Sequence, residues 1–201
     1  MSRRDKGFPM LNLFIIGPSG SGKSTQAKLI AEKFSLTHLS MGQLLRDEIA
    51  AGTGFGLEAK SYIDSGTWVP DDLAFDVLIS KLKELNYQNF IVDGFPRMIN
   101  QGKIAERFLS KQQQPISLLI HLDVTAEEIS QRRASLGVDF QDSSRSDNTP
   151  EAIAARQKSY DETITPIKEY FSDKKLLFEV DGNRPVEPIF EDIVKKINEL
   201  K

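Results

Sequence analysis

One stretch limits the folding options of this chain more than any other: Gly17-Pro-Ser-Gly-Ser-Gly-Lys-Ser24, followed by Thr25. Ahead of it, Leu11–Ile16 is a short apolar run that stops at Gly17, the pattern of a parallel strand buried on both faces. Behind it, Ala27, Leu29, Ile30 and Phe34 recur at helical spacing. The string fits G-x-x-x-x-G-K-[ST] in the strand–turn–helix setting in which that pattern cradles phosphate. Glycines at 17, 20 and 22 allow the backbone to turn successive N–H groups inward, and the helix N-terminus adds partial positive charge. In such a cradle Lys23 bridges the β- and γ-phosphates of a nucleoside triphosphate, and a hydroxyl from Ser24 or Thr25 reaches Mg²⁺. Gly20, Ser21, Gly22, Lys23, Ser24 and Thr25 are therefore the expected triphosphate-binding residues.

Further apolar runs lie at Asn89–Asp93, Ile116–Leu122 and Lys175–Val180, with a minor one at Leu36–Leu39. Helical patterns fall between them over Asp71–Leu85, Ile99–Ser110, Ala126–Ser135 and Thr149–Phe171, and a last one opens at Pro185. Strands alternating with helices predict an α/β fold with a parallel sheet covered on both faces. Pro166 predicts a kink or an early helix end near Thr165. Two segments interrupt the rhythm. Gln43–Asp72 has a helical pattern, four glycines and no strand, and Leu136–Asn148 is polar and turn-rich. Both read as insertions on the rim of the sheet, where ligand loops sit.

At 201 residues the chain is long enough for one substantial α/β domain. A net charge of −3, from 26 basic and 29 acidic residues, predicts no general attraction to nucleic acid or to an anionic membrane. The absence of cysteine excludes disulfides, thiolate chemistry and a Cys-ligated zinc site. The two histidines, His38 and His121, read as satisfied structural residues. No apolar run approaches membrane-spanning length, and the opening "MSRRDKGFPM" lacks the apolar core of a secretory signal. Residues 1–10 read as a mobile tail, the compartment as cytoplasmic and the protein as a monomer.

Asp93 ends an apolar strand and precedes Gly94-Phe-Pro-Arg97. A carboxylate at that position is suited to hold a metal or its water. An arginine in a loop is usually a solvated surface group, so Arg97 alone would say little. Five ordered blocks say more: "GPSGSGKSTQ", "HLSMGQLLRDEIAAGTGFGLEAKSYIDSGTWVPDDL", "VDGFPRMINQ", "SRSDNTPEAIAARQKSY" and "VDGNRP". With them the chain resembles the adenylate kinases, from about Leu11 to Leu200. The resemblance implies a P-loop NTPase-type three-layer fold with a parallel sheet of about five strands. Residues 11–201 would form a single kinase domain, with a monophosphate-binding insertion at 40–72 and a short lid without zinc at 133–148. The implied reaction is reversible transfer of the γ-phosphoryl group of Mg-ATP to AMP, giving two ADP.

The same resemblance implies roles residue by residue. Lys23, Arg97, Arg132, Arg145 and Arg156 would act on the transferring group. Arg132 and Arg184 would join the cradle in holding ATP. Met41, Arg46, Val69, Gly94, Arg97, Gln101, Arg145 and Arg156 would hold AMP, with Gln101 reading the adenine edge. Ser24, Thr25 and Asp93 would hold magnesium, through water. The chain also departs from the family pattern. Ser24 stands where glycine is usual, and Ser40-Met41-Gly42-Gln43 replaces Ser-Thr-Gly-Asp. Leu136 replaces a lid arginine, which Arg133 is close enough to replace, and Asp147-Asn148 replaces Asp-Asp. Two other readings stay open: a kinase preferring UMP, CMP or a broader set of bases, and a nucleotide-sensing protein with weak turnover.

Overall fold

The computed structural model describes residues 10–135 and 149–200, without the side chain of Arg133. Residues 1–9 of the expected tail, and the expected lid from Leu136 to Asn148 with Arg145, lie outside the described residues.

The described residues form five strands and eight helices in the order β1 (Asn12–Ile16), α1 (Lys23–Phe34), β2 (Thr37–Ser40), α2 (Met41–Ala50), α3 (Gly54–Ser65), α4 (Asp71–Glu84), β3 (Phe90–Asp93), α5 (Ile99–Lys111), β4 (Leu118–Asp123), α6 (Ala126–Ser135), α7 (Pro150–Asp173), β5 (Leu177–Asp181) and α8 (Val186–Asn198). All strand pairings are parallel, in the order β2-β3-β1-β4-β5. The minor run at 36–39 is thus a full strand at the edge of the sheet.

Alternate side chains of the central strands feed two cores, as a period of two requires. Phe14, Ile16, Phe90, Val92 and Leu119 face one side and pack with residues of α4, α5 and α7. Leu13, Ile15, Ile91, Leu118 and Ile120 face the other and pack with α1 and α8. The sheet is therefore the middle of three layers, and its central strands are apolar on both faces because both are covered. The interrupting segment at 43–72 forms α2 and α3, whose Met41, Leu45 and Ala59 join the first core. No helix among the described residues is long and apolar enough to cross a membrane.

Two features differ from the reading of the sequence. α7 does not end near Thr165 but continues through Pro166 to Asp173. Burial of Ile167 and Phe171 against the first core holds the last two turns despite the missing N–H. Within the apolar β1 run, Asn12 is 2% exposed. Its Nδ2 donates to the carbonyls of Tyr87, Gln114 and Pro115, while its Oδ1 accepts from the backbone N–H of Asn89. One amide thereby ties the loops leading into β3 and β4 to the central strand.

Candidate active site

β1, β3 and β4 end on the same edge of the sheet, where the loops after parallel strands gather into a crevice. After β1 the chain turns through Gly20 and Gly22 at φ +90° and +92°, a conformation that side chains disfavour, and α1 starts at Lys23. The first-turn N–H groups of α1 have no side-chain cap. They remain available to an anion. Lys23 is buried, and its Nζ donates to the Pro18 carbonyl at 2.7 Å. The Ser21 hydroxyl is buried without a hydrogen-bond partner among the described residues. Thr25 is exposed in the first turn of α1.

Asp93, at the end of β3, faces this cradle. The Ser24 hydroxyl donates to its Oδ2, and His38 Nε2 lies 3.8 Å from the same oxygen, too far for a hydrogen bond. Burial alone would raise the Asp93 pKa. The imidazole of His38, the ammonium of Lys23, the Ser24 hydroxyl and the Arg97 guanidinium together hold it below the ordinary carboxylate value. The group is an anion throughout the neutral range. His38 departs from the satisfied histidine expected, because its buried Nε2 has no hydrogen-bond partner among the described residues.

Beside the cradle is a cleft of about 120 Å³, lined by residues of α2, the loop after α3, the loop after β3, and α5 and α7. Met41, Arg46, Val69, Gly94, Arg97, Gln101 and Arg156 all line it, so seven of the eight residues expected to hold the monophosphate are together. The eighth, Arg145, lies outside the described residues. Arg97 donates from Nε to the Gly94 carbonyl at 2.7 Å and lies 4.7 Å from the centre of the Trp68 ring. Its pKa is lowered by burial, against the raising effect of Asp93 and with a further lowering from Arg156. A phosphate dianion between the two guanidinium groups would offset their repulsion.

Gln101 is 2% exposed and holds two backbone segments: Oε1 accepts from Arg97 N–H at 2.7 Å, and Nε2 donates to the Val69 carbonyl at 3.2 Å. Each end of the amide retains one further hydrogen-bonding position for a base edge. Arg46 donates from Nη2 to Gln43 Oε1 at 2.8 Å, and Gln43 Nε2 donates to Asp47 at 2.7 Å. Gln43, one of the departures from the family pattern, is thus the residue that holds Arg46. Trp68 lines the same cleft and donates from Nε1 toward Ser159 and Thr163 of α7 at 3.3 Å.

On the opposite side of the cradle, Arg132 donates to the carbonyls of Ser21, Gly182 and Arg184 at 3.1, 2.6 and 3.3 Å and to Glu128 at 2.7 Å. It ties the phosphate loop to the β5–α8 loop. The Arg184 side chain is taken up by Asp192 at 2.7 Å and by the Asp181 carbonyl at 3.2 Å. His121 is buried as expected, with Nδ1 3.1 Å from Glu179 Oε2 and Nε2 2.7 Å from the Tyr160 hydroxyl. Tyr160, absent from the sequence-based candidates, is the last residue of the block "SRSDNTPEAIAARQKSY" but has no role assigned there. Its place in that block, four residues after Arg156, is the available signal.

The family model for adenylate kinase matches residues 15–176. The chain is 39% identical to an adenylate kinase of Bacteroides fragilis over 95% of this chain and 100% of the relative. It is 37% identical to an adenylate kinase of Phocaeicola vulgatus over the same shares. The adenylate kinase of Clostridium novyi is 32% identical over 93% of this chain and 98% of its own length. The chain belongs to the adenylate kinase family. It is accordingly an enzyme, a nucleotide-binding transferase of P-loop architecture that moves phosphoryl groups to nucleoside monophosphates.

Proposed function

We propose that the enzyme transfers the γ-phosphoryl group of Mg-ATP to AMP, giving two ADP. One observation carries the reading: Asp93 lies under the charge of both Lys23, in the cradle, and Arg97, in the adjoining cleft. A donor seat and an acceptor seat therefore meet over one carboxylate. In this reading Gly20, Ser21, Gly22, Lys23, Ser24 and Thr25 hold the triphosphate, with Arg132 closing over it and the transferring group and Arg184 in the loop against the ATP adenine. Met41, Arg46, Val69, Gly94, Arg97, Gln101, Arg145 and Arg156 hold the acceptor. Residues 40–72 act as the monophosphate-binding insertion and 133–148 as the short lid of a single domain spanning 11–201.

The donor set suits magnesium. Asp93 is a buried, ionised oxygen ligand with the Ser24 hydroxyl directly against it, and hard cations prefer such oxygens. No group of three or more His, Cys, Asp or Glu is gathered for a metal among the described residues, so phosphate and water would complete the shell. When bound, the ion would neutralise charge on the triphosphate. Asp93 and Ser24 would orient it, with Thr25 as a second hydroxyl. The rest falls to the chain's own cations. Lys23 and the arginines face the developing charge on the equatorial oxygens, and Arg97 and Arg156 orient the acceptor phosphate. The acceptor oxygen is already an anion, so no side chain has to remove a proton from it.

Met41 supports a second reading. It is buried in the cleft wall where the family pattern has a hydroxyl, which leaves the acceptor base one polar contact fewer. A wider base preference, including UMP or CMP, follows from that. Diphosphate formation from ATP, Mg²⁺ and each monophosphate in turn separates the two. Turnover with AMP at least about tenfold above the others, a difference of 1.4 kcal/mol in transition-state binding, is the expected result. Equal turnover would support the broader preference, and no turnover would end both.

A further inference from the structure

The N-terminal half of α7 carries Arg156 into the cleft, yet its attachment to the sheet is sparse. Beyond Pro166 the helix is well seated, through buried Ile167 and Phe171 and an ion pair from Lys168 to Glu179 of β5 at 2.5 Å. Pro166 has no N–H to return to the preceding turn, so the hydrogen-bond ladder is interrupted between that seat and Arg156. Ahead of the proline, two contacts join α7 to the segment after α3. Trp68 Nε1 reaches Ser159 and Thr163, and Gly66 packs so closely that a Cβ there would lie 2.4 Å from the Ala152 carbonyl. Both belong to the rim insertion and not to the sheet.

Ile164 packs against the first core, and the polar contact of this half with the sheet among the described residues is Tyr160. Its hydroxyl lies 2.7 Å from Nε2 of His121, in the middle layer of the fold, at the position in register with Ile16 just before the phosphate loop. The direction of the bond follows from the other ring nitrogen. Nδ1 faces the Glu179 carboxylate at 3.1 Å, which can only accept, so Nδ1 carries the proton and Nε2 accepts from the phenol. Burial lowers the His121 pKa and favours this neutral ring. Tyr160 follows Arg156 by four residues, so the two side chains stand next to each other on one face of α7.

We propose that Tyr160 is a positioning residue: through its hydrogen bond to His121 it fixes Arg156 relative to the sheet-borne cradle and so sets the acceptor geometry. This rests on the acceptor role proposed above for Arg156. The test uses the full chain. Tyr160→Phe keeps the ring and removes one hydrogen bond, worth about fivefold to tenfold in the KM for AMP, with the Kd for ATP unchanged. In an Arg156→Ala background the same change should add less than about twofold, because the group it positions is gone. His121→Gln retains an acceptor for the phenol and should keep a KM near wild type, whereas His121→Leu should reproduce the Tyr160→Phe loss. The inference is overturned by a Tyr160→Phe enzyme with unchanged KM for AMP, by equal weakening of ATP and AMP, or by full additivity with Arg156→Ala. Should Tyr160→Phe fail to fold, the two His121 variants decide: equal KM values in both overturn it. Wild-type enzyme inactive with every monophosphate would instead remove the functional reading beneath it.

Discussion

Lys23, which is buried, and Arg97, which is half-buried, both act on Asp93, yet the reading assigns them to different substrates. Replacing Lys23 with Met removes a charge that strengthens on the moving phosphoryl group. Transfer should fall by about two to three orders of magnitude, and activity within tenfold of wild type in a steady-state assay would remove Lys23 from its role. Arg97→Ala should raise the KM for AMP by about tenfold to a hundredfold while leaving ATP affinity, measured by titration calorimetry, within about twofold. A parallel loss of ATP binding would mean that Arg97 serves the donor. Lys23 was legible in the cradle pattern itself, and Arg97 through the resemblance to the family. The partners holding them were not. Gln43 against Arg46, the Gly94 carbonyl against Arg97 and the lone Nε2 of His38 near Asp93 all depend on segments that meet only after folding.

Among the elements, β1 shows how a local pattern can hide a long-range device. The run Leu11–Ile16 reads as a buried strand and is one, but Asn12 works as a clasp. It meets a turn in which Asn86, Tyr87 and Asn89 all adopt left-handed conformations at φ +51°, +58° and +56°. Such a turn leaves backbone groups pointing away from any regular ladder, and the Asn12 amide satisfies two of them, the Tyr87 carbonyl and the Asn89 N–H. Asn12→Leu matches the apolar run better and should still destabilise the fold by about 2–4 kcal/mol, read from urea midpoints. An unchanged midpoint would mean that water replaces the amide. α7 gives the converse case. Proline weakens a helix locally, yet burial of Ile167 and Phe171 carries α7 on to Asp173.

At the scale of the whole molecule, two buried groups, His121 and Asp93, should each give an acid step in stability, both of one sign. His121 has a folded pKa below its ordinary 6.5, so the unfolded chain binds its proton more readily. That contribution is complete above pH 6.5 and is lost as pH falls from there through the folded value. Asp93 has a folded pKa below 3.8, so its contribution is complete above that value and is lost as pH falls through the folded one. Thermal midpoints measured across pH should show both steps. His121→Gln should remove the upper step and keep the lower, and an unaltered upper step would place it on another group. The chain's own sequence decided what is local: the cradle, the apolar faces, the alternation of strands and helices, and which arginines were candidates. The strand order β2-β3-β1-β4-β5, the meeting of Lys23, Asp93 and Arg97, and the tie from Tyr160 to His121 were decided only in the tertiary structure. The physical reason is range. Backbone periodicity and turn chemistry act over a few neighbouring residues, whereas strand order and buried pairs depend on packing between segments far apart in the chain.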